Sequence, residues 1–231
     1  MDKIQNIEKL FLNIVTFSYL LLPLTFLITI HKARRTVIFC IYGTVFFLSL
    51  FLGDQLISSR DLFSQKLYSN SYTFLEYLFF SLFLMREIRN RKLRITIILL
   101  SILFFIFQVL YFFNAPFYKI DTIPIGIETI LLFVYILFFF YNYFKEIDNR
   151  YIYNEPCFWV AVGILLYLGG SFFFNILANH LSIEEMVNYW YVTYIAEVLK
   201  NLLFAIAMII YARQPKETTL EKSIPYLDLT L

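Results

Sequence analysis

The sequence predicts an all-α, polytopic membrane protein built as a single bundle of seven transmembrane helices. Composition comes first: 60% of the 231 residues are hydrophobic and only 16% are charged, where a soluble domain carries about a quarter of its residues charged. Patterning comes second, because the charges are bunched between long apolar runs. Length is the third observation, since several runs reach the roughly 20 residues a helix needs to cross the hydrocarbon core. A water-soluble fold of this size cannot bury so many apolar segments, so the surrounding solvent is lipid.

The first run, Leu10–Ile30, follows a short stretch bearing Asp2, Lys3, Glu8 and Lys9. No small-residue cleavage site follows it, so it reads as a retained span. The second is Thr36–Ile57. The third, Leu67–Met85, is the most polar, with Ser, Asn and Thr crowding the part before Glu76; a central, buried position explains that better than exposure to lipid. Ile95–Phe113, Ile123–Phe144, Cys157–Ala178 and Tyr189–Tyr211 complete the set. Residues 1–213 therefore form one transmembrane domain with no soluble catalytic module. Residues 214–231, with Pro215, Pro225 and no apolar periodicity, read as a short flexible cytoplasmic tail.

Orientation follows from the basic loops. The loops after the odd-numbered spans hold twelve Lys and Arg residues, among them Arg34, Arg35, Arg86, Arg94 and Arg150, against five on the other side. The N-terminus is thus expected outside and the C-terminus in the cytoplasm. Trp190 and Tyr191 fall at the expected outer belt, and Tyr153 and Trp159 at the inner one. Phe (28) and Tyr (18) far outnumber Gly (6), which predicts helices meshed by rings rather than by small residues. Gly169-Gly170 lies in mid-span and predicts a kink or a close helix contact. Cys40 and Cys157 read as reduced thiols without a disulfide. A formal net charge of +2 with no basic, aromatic-lined face gives no case for nucleic acid.

Glu76 in the third span, Glu128 in the fifth and Glu197 in the seventh give three spans of the same direction an outer or central glutamate. A 3+1+3 parallel repeat would relate spans one to three with spans five to seven.

The charges within spans point to function. Asp54, Glu76, Glu128, Glu197 and Lys200 all fall there, and such a group costs about 2.5–3.5 kcal/mol on insertion scales unless it faces the bundle or water. Together they predict an outward-facing polar cavity, or a proton or ion path, joined by Asn13, Gln55, Ser71, Thr73, Gln108, Asn175, Thr193 and Asn201. Glu197 and Lys200, three residues apart on one helix, can meet. A self-satisfied ion pair is the bland reading; the functional one has Lys200 bind an anion, or hold Glu76 in one conformation and release it in another. Asp54, near a span end, can simply reach water.

His31 and His180 lie outside the spans, and no metal-ligand spacing, Gly-rich phosphate loop or nucleophile motif occurs. No cofactor or metal is expected, and an enzyme is less favoured than a receptor or a transporter, ahead only of a scaffolding subunit. The leading expectation is a receptor or sensor that binds a small or lipidic ligand and acts through a separate protein partner at the cytoplasmic face. A small-solute or proton-coupled transporter or channel is the alternative, and a membrane-embedded enzyme a further one.

Two stretches, Ser71-Tyr-Thr-Phe-Leu-Glu-Tyr-Leu-Phe-Phe-Ser-Leu-Phe and Pro156-Cys-Phe-Trp-Val-Ala-Val-Gly-Ile-Leu-Leu-Tyr-Leu-Gly-Gly-Ser-Phe-Phe-Phe, resemble segments of small seven-helix bacterial inner-membrane proteins. That resemblance implies the same bundle in a bacterial plasma membrane, and no particular ligand or reaction.

Overall fold

The computed structural model of the chain describes residues 2–29, 36–57, 62–88, 90–115, 122–146, 152–177 and 183–214. The basic loop at 30–35, both histidines and the tail from 215 onward lie outside the described residues, as does the side chain of Asp54. The described residues are helical throughout, with no strand: α1 (Asp2–Tyr19), α2 (Leu21–Thr29), α3 (Val37–Ile57), α4 (Leu62–Glu87), α5 (Arg91–Asn114), α6 (Thr122–Glu146), α7 (Pro156–Leu177) and α8 (Ile183–Arg213). Lys9–Thr29, Arg91–Asn114, Thr122–Lys145 and Trp190–Arg213 are long and apolar enough to cross a membrane, while Val37–Gly53 and Pro156–Phe172 are apolar but shorter. These segments point to a membrane protein. The outward-facing side chains agree with them: Ile28, Leu103, Phe113, Leu137 and Phe144 are all exposed, a surface that only lipid covers at low cost.

α4 is too polar to count among the four, and its position explains how it is tolerated. It packs against α3, α5, α6 and α7, while α8 packs against α7, α1 and α2. α5 sits at the periphery on α4 and α6. Several polar residues of α4 find partners in the bundle; Lys66 Nζ donates to the carbonyls of Phe112 and Ala115, both at 2.7 Å, which caps the end of α5.

The first span departs from the continuous helix expected over Leu10–Ile30. It breaks at Leu20, between α1 and α2. Pro23 is the cause: it has no N–H to give the carbonyl of Tyr19, four residues before it, and its ring crowds that carbonyl. Leu20 N bonds Phe17 O at 3.1 Å instead, a tighter turn. Gly43 of α3 seats the break. A Cβ there would stand 2.7 Å from the Tyr19 carbonyl oxygen and 2.8 Å from Leu22 Cβ, so only glycine lets α3 come this close.

Rings fill the core as expected, with centroids 4.5 Å apart for Tyr42 and Phe46 and 4.4 Å for Tyr77 and Phe104. The expectation that small residues play little part needs correction where α7 meets α8. A Cβ on Gly170 would lie 2.7 Å from Ala196 Cβ, whereas one on Gly169 would meet nothing within 4 Å. The two glycines therefore mark a close helix contact in an unbroken α7, and only the second makes it. Cys40 and Cys157 are unpaired thiols; Cys157 Sγ lies 3.1 Å from Tyr211 Oη.

Gly170→Ala should lower thermal stability in detergent by about 1–3 kcal/mol through overpacking. Gly169→Ala should be neutral or stabilising by up to about 1 kcal/mol, since it removes only backbone freedom. Equal effects at both positions would contradict this packing.

Candidate functional site

Lys200 has no accessible surface, although it carries a charge at the middle of α8. An uncompensated ammonium there would cost several kcal/mol, so its surroundings have to supply both a counter-charge and hydrogen-bond acceptors. They come from four other helices. Glu76 of α4 gives the ion pair, with Oε1 3.2 Å from Lys200 Nζ. Tyr19, the last residue of α1, accepts a hydrogen bond from the same Nζ at 3.3 Å. The Tyr167 ring of α7 lies under the ammonium with its centroid 3.8 Å away. Tyr42 of α3 and Phe80 of α4 present ring faces at 5.5 Å each, so the ammonium sits in an aromatic cage with one carboxylate wall.

Each carboxylate is tied by phenols as well. Tyr167 Oη donates to Glu76 Oε2 at 2.8 Å, so one tyrosine covers the cation with its ring and holds the anion with its hydroxyl. Glu197 Oε1 accepts from Tyr19, in a short contact, and from Tyr72 of α4 at 3.1 Å. Tyr19 Oη therefore stands between Lys200 and Glu197, accepting from the first and donating to the second. The break in the first span places this residue at the end of α1, beside Gly43. Next to it, Asn201 Nδ2 donates to Ser18 Oγ at 2.8 Å and locks α8 to α1.

Lys200 is not paired with Glu197, its neighbour three residues back. Glu197 has two phenolic donors of its own, while the lysine chain is long enough to reach across to α4. The contact is thus between helices, and the self-satisfied pair within α8 is not formed.

Of the residues singled out from the sequence, the structure brings Glu76, Glu197 and Lys200 into one network. Glu128 of α6 is buried within electrostatic reach of Glu76 and Lys200, and its Oε1 has no hydrogen-bond partner. Asp54 is on α3, with its side chain outside the described residues. Thr73, Gln108 and Asn201 are buried. Asn13 and Ser71 are exposed and do not join the cluster. Around Lys200 the core is closed in this conformation, since a side chain with no accessible surface touches no water-sized space.

The aromatic half of the site was not anticipated. Tyr19, Tyr42, Tyr72, Tyr167 and Phe80 all touch the charged groups, and the sequence does carry a signal for most of them. A tyrosine at a membrane belt keeps its hydroxyl in water, whereas Tyr19, Tyr42 and Tyr167 fall well inside spans, where each hydroxyl needs a protein partner. Tyr72, one helical turn from Glu76, was equally visible.

Comparison with known protein families, with curated proteins and with solved structures finds no match to this chain.

Glu76→Gln or Lys200→Met alone should each cost about 3–5 kcal/mol, because either leaves a buried charge without its partner. The double variant should lose clearly less than the sum of the two, as read from a double-mutant cycle of unfolding in detergent. Additive losses would mean the pair is not coupled.

Proposed function

We propose that this protein is a membrane receptor or sensor in which the Lys200–Glu76 pair is the conformational switch. The observation that carries the reading is that one buried ammonium is held jointly by α1, α3, α4 and α7 while belonging to α8. A ligand that displaces any of these helices changes the contacts of all, and a bistable core of this kind turns a small shift into a discrete rearrangement. Access from outside is supported by Tyr72 alone, which is half-buried on the outer side of the buried Lys200, Glu76 and Glu197. That side is the end that holds the N-termini of α1, α4, α6 and α8.

In this reading the chain crosses a bacterial plasma membrane seven times with its N-terminus outside, as the basic loops direct. A small or lipidic ligand acts from the outer side on the Tyr72–Glu197–Lys200 column. The rearrangement is read by a separate protein at the cytoplasmic face. The peripheral seat of α5, on α4 and α6, supports a 3+1+3 plan in which α5 links two three-span units.

Transport is the second reading, and the broken first span favours it. Transporters place binding sites where a helix is interrupted, and Tyr19 sits at the interruption and in the cluster. The two readings differ in access. A sensor's core opens to one face, whereas a transporter's must open to both in turn.

Cysteine labelling in sealed vesicles separates them. In a Cys40→Ser/Cys157→Ser background, Tyr72→Cys should react with a membrane-impermeant maleimide added outside, and neither it nor the combination Glu76→Gln/Lys200→Cys should react with reagent confined inside. Reaction of position 200 from the inner face would overturn the sensor in favour of transport. Failure of position 72 to react from outside would remove the outward opening on which the reading depends.

A further inference from the structure

α4, α5 and α6 meet in a layer of hydroxyl groups whose hydrogen bonds can be given a direction. Ser101 Oγ donates to the Ile97 carbonyl at 2.8 Å. Tyr77 Oη is therefore the donor to Ser101 Oγ at 2.8 Å, and Tyr135 Oη the donor to Tyr77 at 3.0 Å. Every hydroxyl proton in this layer has an acceptor.

The register of the three helices carries that layer one step further. α5 runs antiparallel to α4, as shown by Tyr77 opposite Ser101, Asn70 opposite Gln108 and Lys66 opposite Phe112. α6 follows α5 in the up-and-down order and runs parallel to α4. Seven residues is two helical turns, about 10.5 Å along the axis, and returns to nearly the same face. Seven residues from Tyr77, Ser101 and Tyr135, all toward the N-terminal ends of α4 and α6, stand Asn70, Gln108 and Glu128. The bond from Gln108 Nε2 to the Asn70 carbonyl, at 2.9 Å, confirms that the first two share a level.

This second layer is the chemical opposite of the first. Asn70 Oδ1, Gln108 Oε1 and Glu128 Oε1 are all buried, all acceptors, and none has a hydrogen-bond donor among the described residues. Gln108 is 1% exposed and Glu128 3%. Buried acceptors without a donor are costly, and a carboxylate in that position most of all. By register the three oxygens come from three helices at one level, with a single formal negative charge among them, and such a set suits a small cation.

We infer that Asn70, Gln108 and Glu128 form a binding site for a dehydrated monovalent alkali cation, with Na+ as the representative ion. The donor set is all oxygen, the choice for a hard cation, and it contains neither imidazole nor thiolate to select a transition metal. One carboxylate neutralises one positive charge, whereas a divalent ion would leave a buried excess. The site shares α4 with the Lys200 cluster, and Glu128 lies within electrostatic reach of Glu76 and Lys200, but its three oxygens make none of the hydrogen bonds that hold Lys200, so it stands whether or not the sensor reading does.

The test is thermal unfolding of the purified full chain in lipid nanodiscs, with NaCl exchanged for choline chloride at constant ionic strength and pH. Tm should climb with Na+ and saturate, as for any ligand that binds only the folded state. Glu128→Gln should abolish the climb, and Gln108→Leu should weaken the apparent Na+ affinity by at least about tenfold. A Tm indifferent to Na+, Li+ and K+ would overturn the proposal, as would a climb that survives Glu128→Gln. A response to pH without one to alkali ions would also overturn it, because Glu128 would then be holding a proton. Should Glu128→Gln fail to fold, an unchanged Na+ response in Gln108→Leu decides against the site.

Discussion

An ammonium group placed where neither water nor lipid headgroup can reach it sets demands on every helix nearby. Lys200 cannot remain charged in the core without a carboxylate, and the carboxylate cannot remain without donors of its own. The structure meets this chain of requirements with Glu76, then with the hydroxyl and ring of Tyr167, then with Tyr19 and Glu197. The positions of α1, α4 and α7 around α8 follow from it. Remove the cation and the phenols of the cage lose the charge they surround, while Glu76 becomes the costliest group in the bundle.

The same constraint explains features that look unrelated. Pro23 breaks the first span just where Tyr19 has to turn its hydroxyl toward Lys200 and Glu197, and Gly43 lets α3 close over the resulting irregular backbone. Gly170 brings α7 close against α8 on the face that also carries Ala196, the residue next to Glu197. Two of the tightest helix approaches, at Gly43 and Gly170, thus fall where they position the cluster, and bulky rings fill much of the remaining core.

Much of the fold was legible from the sequence because hydrophobic run length is a strong signal in one dimension. α3, α5, α6 and α7 begin and end within a few residues of the runs that predicted them. α4 and α8 run further than predicted, since polar residues such as Ser64 and Asn188 end an apolar run without ending a helix. The break at Leu20 was missed even though Pro23 was in view, because the run of apolar residues continues through it. For the site, Glu76, Glu197 and Lys200 were found because charge in a span is rare. The choice of Glu76 over Glu197 as partner could not be read, because nearness along one helix says nothing about which neighbouring helix presents a better acceptor. The tyrosines were hidden by their own abundance, since eighteen of them make any single one look ordinary.

The polarity of α4 has a consequence for how the protein is made. A segment carrying Lys66, Asn70 and Glu76 is a poor candidate to leave the translocation machinery alone, since each polar group would enter hydrocarbon unaccompanied. Its partners are supplied from both directions in the chain: Tyr19 and α3 are synthesised before it, while Phe112, Ala115, Tyr167 and Lys200 come after. If α4 spans the bilayer, its polar groups gain their partners only as later helices arrive, Lys66 from the α5 carbonyls and Glu76 from Lys200 of α8. On that account the bundle's assembly would be cooperative across much of the chain, the burial of Glu76 waiting on the last long helix.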